Sequence, residues 1–551
     1  LVAIPFHAAR SQRVLGSIED ATVVPRGSIR VSTGVSFSRA EERFASGHPG
    51  GVARGNKEPF GSSYSFDTLG TIAVERLAPL TQPLRSLSGQ TALNLSLGAL
   101  DVAMNRDVRT IPMSIDAGLT SRLTVGVLVP YHFVYNTVGV IPGAGGNVGM
   151  NPASTFTAAR TTNGAVVSQI VGASNRLRAL LTSCAADPSG AGCGPINANR
   201  QQAALLVAQS DVAAADIVTV YGDATRVGSP FAPIVGSALE QAIFARLNGF
   251  NASYQMFLGL PVDSVLIAAR PVGATRLTQT DVNTIVTDSA VGIIAQPLAN
   301  LESGHLGDIE VSAKLLLFDS FQGSTSRRLA PSSGVKARLS VGAAYRFATG
   351  ARAAPDNFVD LGTGDGIADL EARGYLDVIL GNRFWFSSVV RYGMPRTDTA
   401  TARIADTTAF SLPAAYRQQN ATLARGTYLE AEWAPRLVLN DFFALAGYYR
   451  YRRTERDEYT GTFPVNDLTG AARTLDAASL GAFTDTQEHR AGIALSYSTI
   501  ASYATRRARL PLELTVLLTR VVQGAGVPID TQAALSVRFY HKVFGPNNLR
   551  R

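Results

Sequence analysis

Between Arg338 and Phe347 the chain reads RLSVGAAYRF, a run in which apolar and polar side chains take turns. Leu339, Val341, Ala343, Tyr345 and Phe347 share one face, and Arg338, Ser340, Gly342, Ala344 and Arg346 share the other. A period of two predicts a strand with one greasy side. RFWFSSVVRY (Arg383–Tyr392) sets Phe384, Phe386, Val390 and Tyr392 against Arg383, Ser387 and Arg391, with Trp385 and Val389 as apolar exceptions on the polar side. Ser28–Phe37, Ser121–Tyr131, Gly307–Leu317 and Ala534–Tyr540 follow the same rule approximately.

DLGTGDGIADLEARGYLDVIL (Asp360–Leu380) admits two readings, a glycine loop that cradles phosphate and opens a helix, or a turn that feeds a strand. Past the glycines, Asp369, Glu371, Arg373, Tyr375 and Asp377 alternate with Leu370, Ala372, Gly374, Leu376 and Val378, so the strand is predicted. A dinucleotide fingerprint would also want glycine six places into the motif, where Ile367 stands. Gly362, Gly364 and Gly366 then form a loop at the rim of a sheet.

The alternating stretches run about ten residues, the length a tilted strand needs to cross a bilayer. Their connections alternate between terse (Leu119–Arg122, Gly381–Arg383, Leu439–Asp441) and long (Ala348–Ile367, Arg396–Arg425, Glu455–Glu488). Short turns on one side and long loops on the other are expected of outer-membrane barrels. The predicted fold is therefore all-β: a transmembrane antiparallel β-barrel of about fourteen strands. Five precede an insertion (28–40, 67–77, 91–103, 110–119, 121–135) and nine follow it, between 307 and 542. Phe384, Phe386 and Phe443 near the terse turns, and Tyr345, Tyr449 and Tyr451 toward the other end, resemble interfacial girdles.

From Asn136 to His305 the two-residue rhythm gives way to helix signals. Ser237 and Glu240 form an N-cap and capping box ahead of a stripe of Leu239, Ile243, Phe244 and Leu247, with Gly249 expected past the end. Ser174–Asp187, Asn197–Val218 and the segment after Thr278–Asp281 also read as helical. The expected organisation is an N-terminal segment that is a possible small hatch (1–26), barrel strands 1–5 (27–135), a mainly helical cap or plug insertion between strands 5 and 6 (136–306), barrel strands 6–14 (307–543) and a tail (544–551).

Of 551 residues, 46% are hydrophobic and 17% charged, and the net charge of +8 is spread singly rather than in the runs that mark nucleic-acid arms. No nucleic-acid partner is expected. Cys184 and Cys193 are spaced for a disulfide in an oxidising compartment, since a structural zinc site would want two more ligands. No stretch reaches the ~18 consecutive apolar residues of a membrane helix, so any crossing is made by strands. The chain starts at Leu1 without a basic-then-apolar leader, which removal of a signal peptide or trimming would explain.

The six histidines show no metal-ligand spacing, no G-x-S-x-G motif is present, and His489 beside Glu488 and Arg490 reads as a solvated rim group before a hydrolase. No cofactor is implied and the chain is expected to be no enzyme. Asp356, Asp360, Asp365 and Asp369 offer hard oxygens in a glycine loop, but the spacing misses the EF-hand form, leaving Asp360 and Asp365 as weak calcium candidates. On the polar faces, Arg346, Asp369, Glu371, Arg373, Arg391, Glu430, Glu432, Arg450 and Arg452 are candidate lumen-facing residues. Opposite charges on neighbouring strands would face one another across a water-lined interior.

TSRLTVGVLVPY (Thr120–Tyr131), HLGDIEVSAKLLL (His305–Leu317), RLSVGAAYRFATG (Arg338–Gly350) and FVDLGTGDGIADLEARG (Phe358–Gly374) resemble, in order and wording, the outer-membrane proteins of the meta-pathway phenol-degradation family. These are similar, at a distance, to the FadL-like hydrophobic-compound channels. The resemblance runs from about Arg109 to Pro395 and leaves out the helical insertion. It implies a bacterial outer-membrane channel, in contact with the lipid bilayer, for passive uptake of small hydrophobic or aromatic solutes. No substrate-binding residue is carried over by these turn and rim phrases. The chain departs from the pattern in its long insertion and in ending FGPNNLRR without a terminal aromatic. The alternative is a barrel that presents an extracellular helical domain to a partner or surface polymer.

Overall fold

A computed structural model describes residues 19–47, 51–320, 334–381, 383–406, 412–504 and 507–544. Twelve strands form the wall: β1 (Ser28–Phe44), β2 (Leu100–Gly118), β3 (Leu123–Pro142), β4 (Glu310–Asp319), β5 (Val335–Arg346), β6 (Asp369–Leu380), β7 (Phe384–Pro395), β8 (Tyr428–Val438), β9 (Phe443–Thr454), β10 (Thr486–Ser498), β11 (Leu512–Ala525) and β12 (Val527–Lys542). Each pairs antiparallel with the strand before it, and β12 returns to β1 from Ser28↔Lys542 to Phe44↔Val527. Closure leaves the wall without a free edge, so its amides pair strand to strand rather than with water, the condition for crossing hydrocarbon.

Alternation puts one face of each strand outside. In β6, Leu370, Leu376 and Leu380 are exposed while Asp369, Glu371, Arg373 and Asp377 are buried within the cylinder. Phe37, Ile115, Val127, Leu315, Val341, Val390, Leu445, Ile493, Val516 and Leu535 continue the exposed apolar band around the wall. A band that encircles the molecule while the charges lie inside inverts the arrangement of a water-soluble protein. Phe384, Phe442 and Phe443 stand exposed at the short-turn end, and Phe133, Tyr135, Phe347 and Tyr392 toward the other.

The expected fourteen strands become twelve in the closed wall, with two short additions, Lys57–Pro59 on β1 and Leu301–Leu306 on β3. The expected strand at 67–77 is turns and 3-10 helix, and the span 91–103 enters the wall only from Leu100, as the start of β2. The reason is burial on more than one side: Leu69, Ala73, Val74, Leu77, Leu93, Leu95 and Leu97 join a single apolar cluster with the helices of the insertion. The insertion therefore follows the third wall strand, and residues 45–99 form one long connection on its side of the barrel.

The helices of the insertion and of the connection before β2 are α1 (Thr81–Ser88), α2 (Thr157–Ala186), α3 (Cys193–Ala198), α4 (Arg200–Tyr221), α5 (Ala238–Leu258) and α6 (Gln279–Thr287). Ser237 Oγ caps α5 by accepting from the Glu240 amide at 3.2 Å, whereas the Glu240 carboxylate turns to the Gly236 amide at 2.6 Å instead of completing the box. The helix runs past Gly249 to Gly259, whose φ of 62° is where a Cβ would be strained. Thr278 and Asp281 do form a reciprocal box at α6. Cys184 and Cys193 are bonded, with Cα atoms 5.4 Å apart, and join α2 to α3.

β2 and β3, of 19 and 20 residues, outreach most of the wall. On their projecting ends Leu100, Val102, Met104 and Val140 enter the same cluster as α2, α4 and α5. The helical body thus packs on the projecting strand ends at the long-loop end, and is called the cap for its position there. Loop residues Val359, Leu361 and Leu412 pack into it, and the Asn136 side-chain Nδ2 donates to the Val359 carbonyl at 2.8 Å.

Candidate functional site

The lumen begins with the polar faces of β5 to β9, five strands paired in sequence. Arg346 reaches Asp369 at 2.6 Å and Glu310 at 3.5 Å. Arg373 bridges Glu310 and Glu371, both at 2.5 Å. Arg391 meets Glu430 at 2.7 Å and Glu432 at 2.8 Å, and Arg452 meets Glu430 at 3.3 Å. Arg450 pairs with Glu488, which Arg490 also contacts at 2.9 Å before reaching Asp530 at 2.5 Å. The candidate lumen residues of the sequence analysis all belong to this lattice. Glu310, Glu488, Arg490 and Asp530 extend it and were absent from that set, although strand parity marks each as inward. Charges removed from water in this number are tolerable because each carboxylate is held by a guanidinium, and Arg346, Arg373, Arg391 and Arg490 each meet more than one carboxylate.

Below the lattice, residues 19–25 run inside the barrel. Glu19 contacts Arg391 at 3.1 Å, and the Lys314 ammonium donates to the Asp20 carbonyl at 2.9 Å. The Ala21 amide donates to Asp377 at 3.1 Å, Ser340 Oγ donates to the Ala21 carbonyl at 2.6 Å, and the Val24 amide donates to Thr124 Oγ1 at 2.8 Å. Ala21 packs on Tyr375 and Val389. Val389, an apolar exception on a polar strand face, is thus the seat of this segment. Near the turn, Gly118 lets the chain pass, because a Cβ there would stand 2.2 Å from the Pro25 carbonyl oxygen. Two cavities flank the segment, one of ≈ 50 Å³ beside Lys314 and Arg373 and one of ≈ 100 Å³ beside Trp385 and Arg436.

Arg106 of β2 departs from the paired pattern. It is 5% exposed, and among the described residues two of its guanidinium nitrogens have no hydrogen-bond partner and no ion pair is formed. Asp530, the acid in its vicinity, is held by Arg490 and by Ser38 Oγ at 2.5 Å.

No family model and no curated protein matches the chain. Among solved structures it is similar to an outer membrane channel from Pseudomonas putida F1, at 8% identity and a TM-score of 0.40 over 95% of this chain and 99% of the other. It is similar also to the toluene transporter of Ralstonia pickettii, at 10% identity and a TM-score of 0.23 over 98% and 99%. The translocator domain of the autotransporter NalP from Neisseria meningitidis matches at 7% identity and a TM-score of 0.27 over 93% and 88%. Scores this low carry no weight for function, which rests on the geometry of the barrel.

The remaining candidates lie elsewhere. Asp360 accepts from the amides of Ala354 and Gly362, at 2.9 and 3.0 Å, and so closes its own loop. Asp365 faces Arg425 at 3.9 Å. No group of three or more His, Cys, Asp or Glu side chains among the described residues is placed to hold a metal. His489 points away from the lattice toward Tyr449, whose hydroxyl lies 2.6 Å from Nδ1, and Gln487, 2.9 Å from Nε2. His7 and His48 lie outside the described residues.

Proposed function

We propose that the protein is an outer-membrane channel for passive uptake of small hydrophobic or aromatic solutes, with residues 1–26 acting as its hatch. The observation that carries this reading is a closed wall with an apolar outer band and a charged interior, a combination suited to a bilayer. The hydrophobic class of solute is supported by the resemblance of the strand and rim phrases and by the apolar side chains Tyr375, Trp385 and Val389 turned inward below the charge lattice. The hatch reading is supported by the hydrogen bonds of residues 20–24 to four wall strands. Liposomes carrying the purified protein should admit a one-ring aromatic faster than protein-free liposomes. Equal rates with both the full chain and a chain lacking residues 1–26 would overturn the reading.

A second reading is favoured by one observation: the ion-pair lattice and residues 19–25 occupy the barrel interior in part, while the helices share one large apolar cluster at the long-loop end. In that reading the cap binds a partner or surface polymer and the barrel anchors it. Absence of flux from both forms of the protein would select it.

A further inference from the structure

Three arginines stand on the outer face of the wall, where strand alternation otherwise places apolar side chains. The pairing registers set Arg520, Thr531, Arg39, Asp107 and Tyr135 side by side in one row across β11, β12, β1, β2 and β3. In the next outward row toward the short turns, Arg109 of β2 stands between Phe37 and Phe133. Thr531 and the three arginines are exposed. Arg39 is held by Glu41 at 2.8 Å and approached by Asp107 at 4.0 Å. The Arg109 guanidinium lies over the Phe37 ring, 5.7 Å from its centroid, and neither Arg109 nor Arg520 forms an ion pair with a described residue. Farther toward the short turns the same face continues as Val516, Leu518 and Leu535, all exposed. A cation without a counterion is unfavourable deep in hydrocarbon and tolerated near the interface, so this row marks the headgroup level. The exposed Phe133 and Tyr135 agree with that level.

We infer that this patch is a docking site for the phosphate group of a membrane lipid in the leaflet at the long-loop end. Three guanidiniums against the carboxylates of Glu41 and Asp107 leave the patch positive, and exposed ion pairs such as those of Arg39 are readily exchanged for a stronger partner. Arg520 and Arg39 are two strands and therefore about 10 Å apart, with the small Thr531 between them. A phosphate seated over Thr531 accepts from both guanidiniums and from the hydroxyl, with Arg109 beside it. Below that seat Leu518, Leu535 and Phe37 offer apolar surface to acyl chains, so the wall matches an amphiphile with its charge above and its chains below. A free phosphate meets only the upper half of this surface. The inference rests on the reading of the barrel as a membrane protein and not on the identity of its solute.

Native mass spectrometry of the detergent-solubilised full-length protein should show dioleoyl phosphatidic acid bound about tenfold more tightly than dioleoylglycerol, the equivalent of one charge-assisted hydrogen bond. The two probes share their chains and differ in the phosphate. Inorganic phosphate at equal concentration should not displace the lipid. Arg109→Gln combined with Arg520→Gln should abolish the preference. Arg396→Gln should keep it, since that exposed arginine lies over Tyr345 beside β7, on the opposite side of the wall. The compact form in unheated gels shows that each variant is folded. A photoreactive phosphatidic acid needs no substitution and should label β1, β11 and β12 of the wild-type protein ahead of the other strands. Equal affinity for the two lipids, displacement by inorganic phosphate, labelling spread evenly over the wall, or an equal loss in Arg396→Gln would overturn the docking site. Aromatic flux without the lipid preference removes the docking site and leaves the channel, whereas the preference without flux does the reverse.

Discussion

Two arginines of the lumen face opposite situations, and their substitution should have opposite signs. Arg373 holds Glu310 and Glu371 together at 2.5 Å, so Arg373→Met strands two buried carboxylates and should cost about 3–5 kcal/mol. Arg106 is buried without an ion pair to any described residue, and Arg106→Met removes an uncompensated charge and should stabilise the barrel by roughly 1–3 kcal/mol. The temperature at which the compact form seen in unheated detergent gels is lost gives both signs. A fall for both variants would mean that Arg106 has a partner in the membrane-bound protein. At this scale alternation identifies which side chains face inward, because a strand sends successive residues to opposite faces. It does not identify their partners: Arg391 reaches Glu19, 372 positions away in the chain, which no local pattern encodes.

Among the elements, the legible ones were those with a single buried face. β5, β6 and β7 alternate because the exposed apolar band lies on one side and the lattice on the other, and their spans follow from sequence. Residues 67–103 do not alternate usefully, since Leu69, Val74 and Leu77 are covered by helices while Leu100 and Val102 begin a strand whose outer end is itself capped. The loops that brace the cap are held by Arg417, fully buried, which donates to both oxygens of Asp406 at 2.9 and 2.8 Å and also pairs with Glu75. The Arg417 hydrogen bonds hold the Asp406 carboxyl below the usual aspartate value near 4. A depressed folded-state value means that this brace contributes fully above pH ~4 and is lost as pH falls through the lowered value. Hydrogen exchange in residues 396–425 should therefore be unchanged between pH 7 and 5 after correction for intrinsic rates, and rise as the pH falls through the lowered value. Asp406→Asn should show the raised exchange at pH 7. The internal segment has its own test: deletion of residues 1–26 removes the hydrogen bonds to Asp377, Ser340 and Thr124, and liposome swelling should accelerate severalfold. An unchanged rate would locate the barrier in the charge lattice.

For the whole molecule, the question is whether wall and cap are separable bodies. The cap enters and leaves the barrel at one place: Asn136 pairs with Leu301, and the Val138 amide donates to Asn300 at 2.8 Å, so the two ends of the insertion are adjacent. The wall closes through twelve strands that the helices do not interrupt. Replacing residues 143–299 with a short glycine-serine linker should consequently leave a barrel that still runs faster unheated than boiled. The cost falls on the other long connection, because Leu77, Leu84, Leu95 and Leu97 lose the helices that cover them, and the variant should bind a hydrophobic dye and tend to associate. Flux then assigns the role of the cap. A swelling rate that rises with the deletion makes the helices a restriction on entry to the lumen, and an unchanged rate makes them a surface body whose purpose is recognition. Loss of the compact unheated form would contradict the separation itself and would mean that the projecting ends of β2 and β3 need the helices in order to pair.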